Sequence, residues 1–599
     1  MARSHFSQHL PKPSGLEQRL ATHFVLFAAL FLFYRLMIYA GTVWNGALPG
    51  NDDFLRLQQV RDLLAGQSWF DVSQSRFLTP EGGDIHWSRL PDIMIGGLIL
   101  AFDLFLERPA AERLATIIYP LVLMGAGVSA LLVSARRLGL HPLTQGLMLV
   151  FIALSSVRMS FSPGRIDHHG LLIVLTLVAF CALISPRRSL RSGVVSGLCI
   201  AAMLSVALES LPYLSAIILG FGISWIVRGH REAPRLVAFG AVTAGSAMLF
   251  YLLDAPGAGP QRAVCDAFGQ AHLAGLMVGG GLLAGLGIFG GMLDTWQKRF
   301  IAGAIAGVAT LATIVLVQPE CLGDPYAGLS AEARLAWLSA VGEAKPFRDL
   351  AANDLPRVVA QYGFLLAGLI AAIALVWIAR PDQRLSRVLF CLLLGVAAMA
   401  TVWQVRGTRF SHLFVCLAGA GLAAEAAAAW WKHRGSTRAL TFVAVTVAVF
   451  PFTWDRLGDA VNQTASAKDA PAACADPEDL ERLAGEAPMR LFTPIDLGMP
   501  VLARTPHSVF AGPYHRNVGA IEAATAILMG NTVSARQRLQ ALGAEYVLYC
   551  PGLSETARYA RLASNSFAAA MERGEVPDWL QPLDLDLEGD FTVYAITKP

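Results

Sequence analysis

Long apolar runs separated by short polar connections fill the first three quarters of the chain. A helix that crosses a bilayer needs about 20 mostly apolar residues. Runs of this kind fall near 21–40, 114–134, 142–160, 170–184, 191–208, 212–227, 234–252, 273–293, 300–317, 357–379, 387–404, 409–430 and 438–453. The stretch 91–106 is also apolar, but Asp103 interrupts it, and it reads as an interfacial helix. The pattern changes after about 454, where Asp, Glu, Pro and Asn return at the density of a soluble domain. Residues Met489–Phe492 and Tyr546–Tyr549 then read as short strands, and Ala520–Leu528 and Ser534–Leu542 as helices. The expected architecture is an α-helical polytopic membrane domain of about 13 transmembrane helices (1–453) and a small extracytoplasmic α/β domain (454–599). No inverted repeat of the kind common in transporters is evident.

Composition agrees: 55% of residues are hydrophobic and 15% charged, with a mean hydropathy of +0.51. The net charge of +3 says less than its distribution. With 91–106 left out of the membrane, Arg136-Arg137, Arg187-Arg188-Arg191, Arg228 to Arg235, Lys298-Arg299, Arg380 to Arg387 and Lys432 to Arg438 all fall on the side of Arg3, Lys12 and Arg19. Basic loops mark the cytoplasmic face. The N-terminus is therefore expected in the cytoplasm, in a bacterial inner membrane, with 41–113, 161–169, 253–272, 318–356, 405–408 and the C-terminal domain outside. Residues 1–20 are polar and basic and do not resemble a cleavable signal peptide. Zinc-finger spacing, a Walker loop and a basic groove patch are all missing, which argues against nucleic acid and nucleotide partners. Of eight cysteines, Cys265, Cys321, Cys474 and Cys550 lie outside the predicted spans, where disulfides are permitted. Cys265–Cys321 and Cys474–Cys550 are the natural pairings.

Polar chemistry gathers on the outer side. Asp167-His168-His169 sits between two nearly charge-free runs, just after Pro163 and Gly164. Ionisable groups at a bilayer boundary are costly and usually tied to function. In extended backbone Asp167 and His169 would point the same way and could share an ion, with His168 opposite; a polar interhelical loop would use the same residues. The first outer loop opens with Asn51-Asp52-Asp53-Phe54 and continues through Glu81, Asp84, His86 and Arg89. Paired carboxylates suit a divalent cation, with imidazole tolerated by Mn²⁺ and similar metals, although Asn51 or Asp52 could equally cap a helix. Glu343 lies in the long loop 318–356, where a mobile carboxylate could close over a substrate or simply face solvent. Arg406 and Arg409 flank Gly407 at an outer junction, able to fork a phosphate or to snorkel to lipid. Glu209 ends another span on the same side and could join the cavity.

Together these residues resemble the catalytic subunit of oligosaccharyltransferase and its bacterial and archaeal relatives, within the C-type membrane glycosyltransferases. Asn51-Asp52-Asp53-Phe54 looks like the family's first acidic motif, which implies that Asp52 (or Asp53) is metal ligand and catalytic carboxylate. Gly164-Arg165-Ile166-Asp167-His168-His169 is similar to the second motif in its archaeal Asp-x-His form, which implies Asp167 and His169 as metal ligands. Val341-Gly342-Glu343-Ala344-Lys345-Pro346 looks like the flexible-loop motif, whose Glu positions and activates the acceptor. Thr408-Arg409-Phe410 resembles the pair whose Arg holds the donor phosphates. The family's acceptor signature, Trp-Trp-Asp-Tyr-Gly, is replaced by Thr493-Pro494-Ile495-Asp496-Leu497-Gly498, which keeps Asp496 and Gly498 alone. The resemblance implies a metal-assisted, inverting transfer of a sugar or oligosaccharide from a polyprenyl-(pyro)phosphate to an acceptor that is protein, glycolipid or polysaccharide. A lipid-linked-sugar flippase is the non-enzyme alternative; it would need charged groups along a path through the bilayer, whereas here they gather outside.

Overall fold

The computed structural model describes residues 15–79, 83–187, 189–254, 264–324, 326, 328–461 and 474–597. Arg3, Lys12, Glu81 and Arg188, used above, lie outside the described residues.

A helix occupies each of the thirteen predicted apolar segments: Gly15–Trp44, Arg108–Arg137, Leu143–Leu154, His169–Leu183, Leu190–Val206, Leu211–Arg228, Ala233–Asp254, Gln270–Phe289, Trp296–Val317, Leu355–Trp377, Pro381–Trp403, Thr408–His433 and Ser436–Val449. Among the described residues, eight stretches are long and apolar enough to cross a membrane unaided, and one of these, Leu208–Leu253, contains two helices. Leu143–Leu154, His169–Leu183 and Leu190–Val206 are shorter and bury most of their residues in the bundle. Their apolar character therefore serves packing more than lipid contact. The chain is a multi-pass integral membrane protein.

Ser436–Val449 is followed after a 64° bend by Pro451–Val461, because Pro451 lacks the amide hydrogen needed to continue the first helix. The second helix packs on Leu355–Trp377. The loop 318–356 contains the short helices Ala331–Ala336 and Phe347–Asn353.

The first loop holds two helices, Asn51–Leu64 and Leu90–Asp103. The latter has 14 residues, about 21 Å at 1.5 Å per residue, too short for a hydrocarbon core of about 30 Å. It buries Asp92, Ile95 and Ile99 and exposes Ile93 and Leu100, as an interfacial helix should.

The C-terminal domain is built on strands β1 (Arg490–Phe492), β2 (Ser508–Val509), β3 (Tyr546–Tyr549), β4 (Leu580–Pro582) and β5 (Thr592–Ile596). Their order is β2-β1-β3-β5-β4; β1 is parallel to β2 and β3, and β5 is antiparallel to β3 and β4. The two predicted helices are Val518–Met529 and Thr532–Leu542. One apolar cluster joins the domain to the first loop, with Phe54, Leu55, Phe77 and Trp87 against Leu491, Val501 and Val509. Another joins it to the loop 318–356, with Leu329, Ala333 and Trp337 against Phe492, Ile495 and Phe510. At the free edge of β2, Leu78 donates to the Val509 carbonyl at 2.7 Å and Val509 donates to Arg76 at 2.9 Å, so the edge is covered. Both expected disulfides, Cys265–Cys321 and Cys474–Cys550, are formed.

Candidate active site

Four sequence-distant motifs meet where the first loop, the 161–169 turn and the loop 318–356 converge. The helix Asn51–Leu64 starts at Gly50, so Asp52 and Asp53 occupy its first turn, where the helix dipole favours negative charge. Asp53 is fully buried. Its Oδ1 accepts the backbone N–H groups of Ile166 (2.8 Å) and Asp167 (3.0 Å), and its Oδ2 pairs with Arg165 at 3.0 Å. Burial raises its pKa against the pull of Arg165 and the Ile166 N–H. Asp52 is half-buried and faces the other polar groups. Burial pushes its carboxyl up to about 6; Glu343 and Asp167 add to the rise, and His169 and Arg409 oppose it. The two acids therefore separate: Asp53 holds the second motif, and Asp52 lies in the cluster.

The second motif is shaped by Gly164, whose φ of +82° disfavours any side chain. A Cβ there would also meet Val43 Cγ2 at 2.8 Å. The extended backbone expected at 167–169 is not found. His168 is in the right-handed helical region, and His169 is the first residue of His169–Leu183. Asp167 and His169 meet by another route. Asp167 Oδ1 accepts the His169 N–H at 3.0 Å, satisfying a helix-start donor, and its Oδ2 lies 3.1 Å from His169 Nδ1. Against the cost of burial, His169 and Arg165 hold the Asp167 carboxyl below the ordinary carboxylate value.

His169 Nε2 lies 3.1 Å from Glu209 Oε2, and Glu209 is ion-paired with Arg406. His168, expected to face away, stacks on His169 with ring centroids 4.3 Å apart, because the helical turn brings neighbouring rings together. Among the described residues, two groups of three have donor atoms within 4.8 Å of one another: His168–His169–Glu209 and His86–Asp266–His515. Neither includes Asp52 or Asp167.

The flexible-loop motif is tied to the arginines. Glu343 Oε2 accepts from Arg409 at 2.7 Å, and burial is outweighed by Arg409, which lowers the Glu343 pKa. Arg406 N–H donates to the Glu343 carbonyl and Val405 N–H to that of Lys345, both at 3.0 Å. Arg409 Nη1 is buried without a hydrogen-bond partner.

The remaining candidates go elsewhere. Arg89 is buried against Asp92 at 3.0 Å and bonds to Gln67 and backbone carbonyls, so it braces the first loop. His86 lies in the second group of three, and burial, with His515 adding, holds its pKa well below the ordinary histidine value. In the C-terminal motif Thr493 and Ile495 point inward and Asp496 is exposed. The backbone N–H groups of Ile495 and Asp496 donate to the buried Glu555 at 2.9 and 2.8 Å. Gly498 packs against the Ala511 carbonyl with no room for a Cβ.

Sequence reasoning missed Tyr514, His515 and Arg516. Tyr514 donates to the Asn51 carbonyl at 3.3 Å, lies against Asp52, and packs edge-on to Trp87. The run Pro513-Tyr514-His515-Arg516-Asn517 was a signal of sorts, a dense polar-aromatic stretch before a predicted helix.

No protein-family model matches the chain, and no curated protein matches it by sequence. Solved structures do match. AglB, the archaeal oligosaccharyltransferase from Archaeoglobus fulgidus, in complex with an inhibitory peptide and a dolichol-phosphate, superimposes with a TM-score of 0.66 at 13% identity, over 98% of this chain and 75% of that one. The apo form of the Archaeoglobus fulgidus oligosaccharyltransferase matches with a TM-score of 0.64 at 14% identity, over 93% and 73%. Its complex with Zn and sulfate matches with a TM-score of 0.62 at 15% identity, over 96% and 73%. Across nearly its whole length, this chain has the fold of an archaeal membrane oligosaccharyltransferase.

Proposed function

We propose that this chain is an integral-membrane glycosyltransferase that moves a sugar or oligosaccharide from a polyprenyl-(pyro)phosphate to an acceptor at the outer face of a bacterial inner membrane, with the N-terminus cytoplasmic. The observation that carries the reading is the convergence of Asp52, Asp167, His169, Glu343 and Arg409, from four separate segments, in one cluster. The likeness to a protein captured with dolichol-phosphate and a peptide supports the same chemistry.

The donor set fits a divalent cation. Nδ1 of His168 is buried without a hydrogen bond, and the two ring nitrogens of His169 each lie 3.1 Å from a carboxylate oxygen. Carboxylate oxygens suit Mn²⁺ or Mg²⁺, and Mn²⁺ tolerates an imidazole beside them. Asp52, Asp167 and His169 would hold the ion, with Glu209 on the far side of His169. When bound, it supplies positive charge to offset the charge growing on the leaving phosphate.

The chain's own residues account for the rest. Asp52 and Glu343 orient the acceptor nucleophile and take its proton as it attacks the anomeric carbon. The bond from that carbon to the phosphate oxygen breaks, and the lipid phosphate leaves. Arg409 keeps Nη1 free of protein partners and so has a donor for that oxygen. Arg406, paired with Glu209 and bonded to the Glu343 backbone, holds the loop against the cluster. Asp53 fixes the Asp167 backbone. Inversion at the sugar is what the family resemblance implies.

The acceptor surface departs from the resemblance, since Asp496 is the exposed side chain of its motif and Gly498 is a packing residue. Glycolipids, surface polysaccharide and glycoproteins should be compared in cells with and without the chain, and with the Asp52→Ala and His169→Ala variants. Loss of one glycan class, restored by wild type and by neither variant, is the expected result. Restoration by either variant would remove this reading of the site.

A further inference from the structure

We propose that His86, Asp266 and His515 form a second divalent-cation site, of the zinc class, that pins the C-terminal domain to the loops of the membrane domain. The three donors lie within 4.8 Å of one another. They come from three segments: the first loop, the loop between Ala233–Asp254 and Gln270–Phe289, and the C-terminal domain. Such a site cannot form before the two domains dock.

The geometry is that of converging ligands. The rings of His86 and His515 are tilted by 56° with centroids 4.7 Å apart, rather than lying flat on each other. His515 Nε2 is 3.0 Å from Asp266 Oδ2. His86 Nδ1 is buried and has no hydrogen-bond partner, a costly condition unless something occupies the space beside it. The carboxylate is oriented from behind, because Arg516 donates through Nε to Oδ2 at 2.6 Å and through Nη2 to Oδ1 at 2.9 Å. Ligating carboxylates are commonly held this way. Arg516 also reaches Asp84 at 3.2 Å. Two carboxylates against one guanidinium leave the cluster net negative when both histidines are neutral, so a dication is electrostatically welcome. The residue before Asp266 in the chain is anchored by the disulfide Cys265–Cys321.

Two imidazoles and one carboxylate are a common zinc donor set, with water completing the tetrahedron. The site shares no ligand with the His168–His169–Glu209 group and does not depend on the transfer reaction. The competing account is a metal-free Asp266–His515–Arg516 bonding cluster.

The test uses full-length protein in lipid nanodiscs, stripped with chelator and titrated with Zn²⁺ alone, with bound zinc counted by mass spectrometry. The His169→Gln variant should retain one tight equivalent. His86→Gln or His515→Gln added to it should weaken that equivalent about 100-fold. In the single His169→Gln protein, zinc-edge X-ray absorption should report two imidazole ligands at about 2.0–2.1 Å. That measurement needs no substitution in the cluster, so misfolding of the double variants leaves it decisive. Zinc should also raise the melting temperature of His169→Gln. Absence of tight zinc from His169→Gln, or equal zinc after His86→Gln or His515→Gln, would overturn the proposal; the first is the outcome of the metal-free cluster.

Discussion

Asp53 accepts the backbone N–H of Asp167 at 3.0 Å, so one acid of the first motif positions the acid of the second. Neighbouring carboxylates thus have different tasks, set by one step of a helical turn. Asp53→Ala removes a buried acceptor of two backbone donors and strands Arg165, which should destabilise the protein by about 3 kcal/mol. Asp52→Ala should leave the fold intact and reduce transfer by about 10³-fold or more. Thermal melts in detergent and transfer assays with a synthetic polyprenyl-phosphate sugar separate the two. Equal melting temperatures for both variants would contradict this division.

Glu343 and Arg409 are paired at 2.7 Å and are expected to part in function. Glu343→Gln should lower kcat by about 100-fold with little change in the donor KM. Arg409→Lys keeps a charge but loses the planar fork, so the donor KM should rise about tenfold. Steady-state kinetics with varied donor would detect the reverse pattern if the roles are exchanged.

The half-buried Asp52 carboxyl, pushed up to about 6, has a consequence for metal binding. A protonated carboxyl cannot ligate, so the Mn²⁺ concentration for half-maximal activity should rise as pH falls below about 6. Measurements at several pH values on either side check this. A requirement that does not change with pH would exclude Asp52 as a ligand.

Glu555 in the C-terminal domain has its pKa raised, first by burial and then by Asp496, against the N–H groups of Asp496 and Ile495. A carboxyl whose folded pKa exceeds its unfolded one binds a proton on folding. Its contribution is full below the unfolded value and is lost as pH rises through the folded value. Stability should therefore fall with rising pH above the ordinary carboxylate range, and Glu555→Gln should flatten that slope. Melting temperatures across this range, compared between the two proteins, are the readout.

Arg558 fastens the loop 318–356 to the C-terminal domain through the carbonyl of Ala336 at 3.0 Å and that of Leu335 at 2.7 Å, with the Ser339 hydroxyl beside them. Arg558→Ala should speed proteolysis within 329–345 several-fold without lowering the melting temperature of the membrane domain. An unchanged cleavage rate would mean that the buried Trp337 and Leu329 hold the loop unaided.

Much was legible in the chain itself. Apolar runs of bilayer length located the helices, since a buried backbone in lipid has few alternatives to a helix. The stretch around Asp103 forms a separate helix of 14 residues, with Asp92 buried in its first turn. Strands β2, β4 and β5 were missed; β2 and β4 have two and three residues, and β5 buries only Val593, so none carries a clear alternation of inward and outward positions. Cys265–Cys321 and Cys474–Cys550, the pairings expected from the sequence, are both formed, although four cysteines allow three connectivities and only the fold selects one. The orientation of Asp167, His168 and His169 did not follow. A period-two argument assumed extended backbone, whereas the helix begins at His169 and its capping need sets the geometry.

The sequence by itself determined which chemical groups this protein carries and on which segments, because hydropathy and motif spacing are local properties. Only the tertiary structure set Asp53 on the backbone N–H groups of Ile166 and Asp167, stacked His168 on His169, and withdrew Arg89 into a brace. It alone joined His86 and Asp266 to His515. These choices depend on which carboxylate meets a backbone N–H and which ring meets a carboxylate from hundreds of residues away. No local pattern encodes such meetings; they arise only when the packed helices and the docked domain bring the segments within hydrogen-bonding reach.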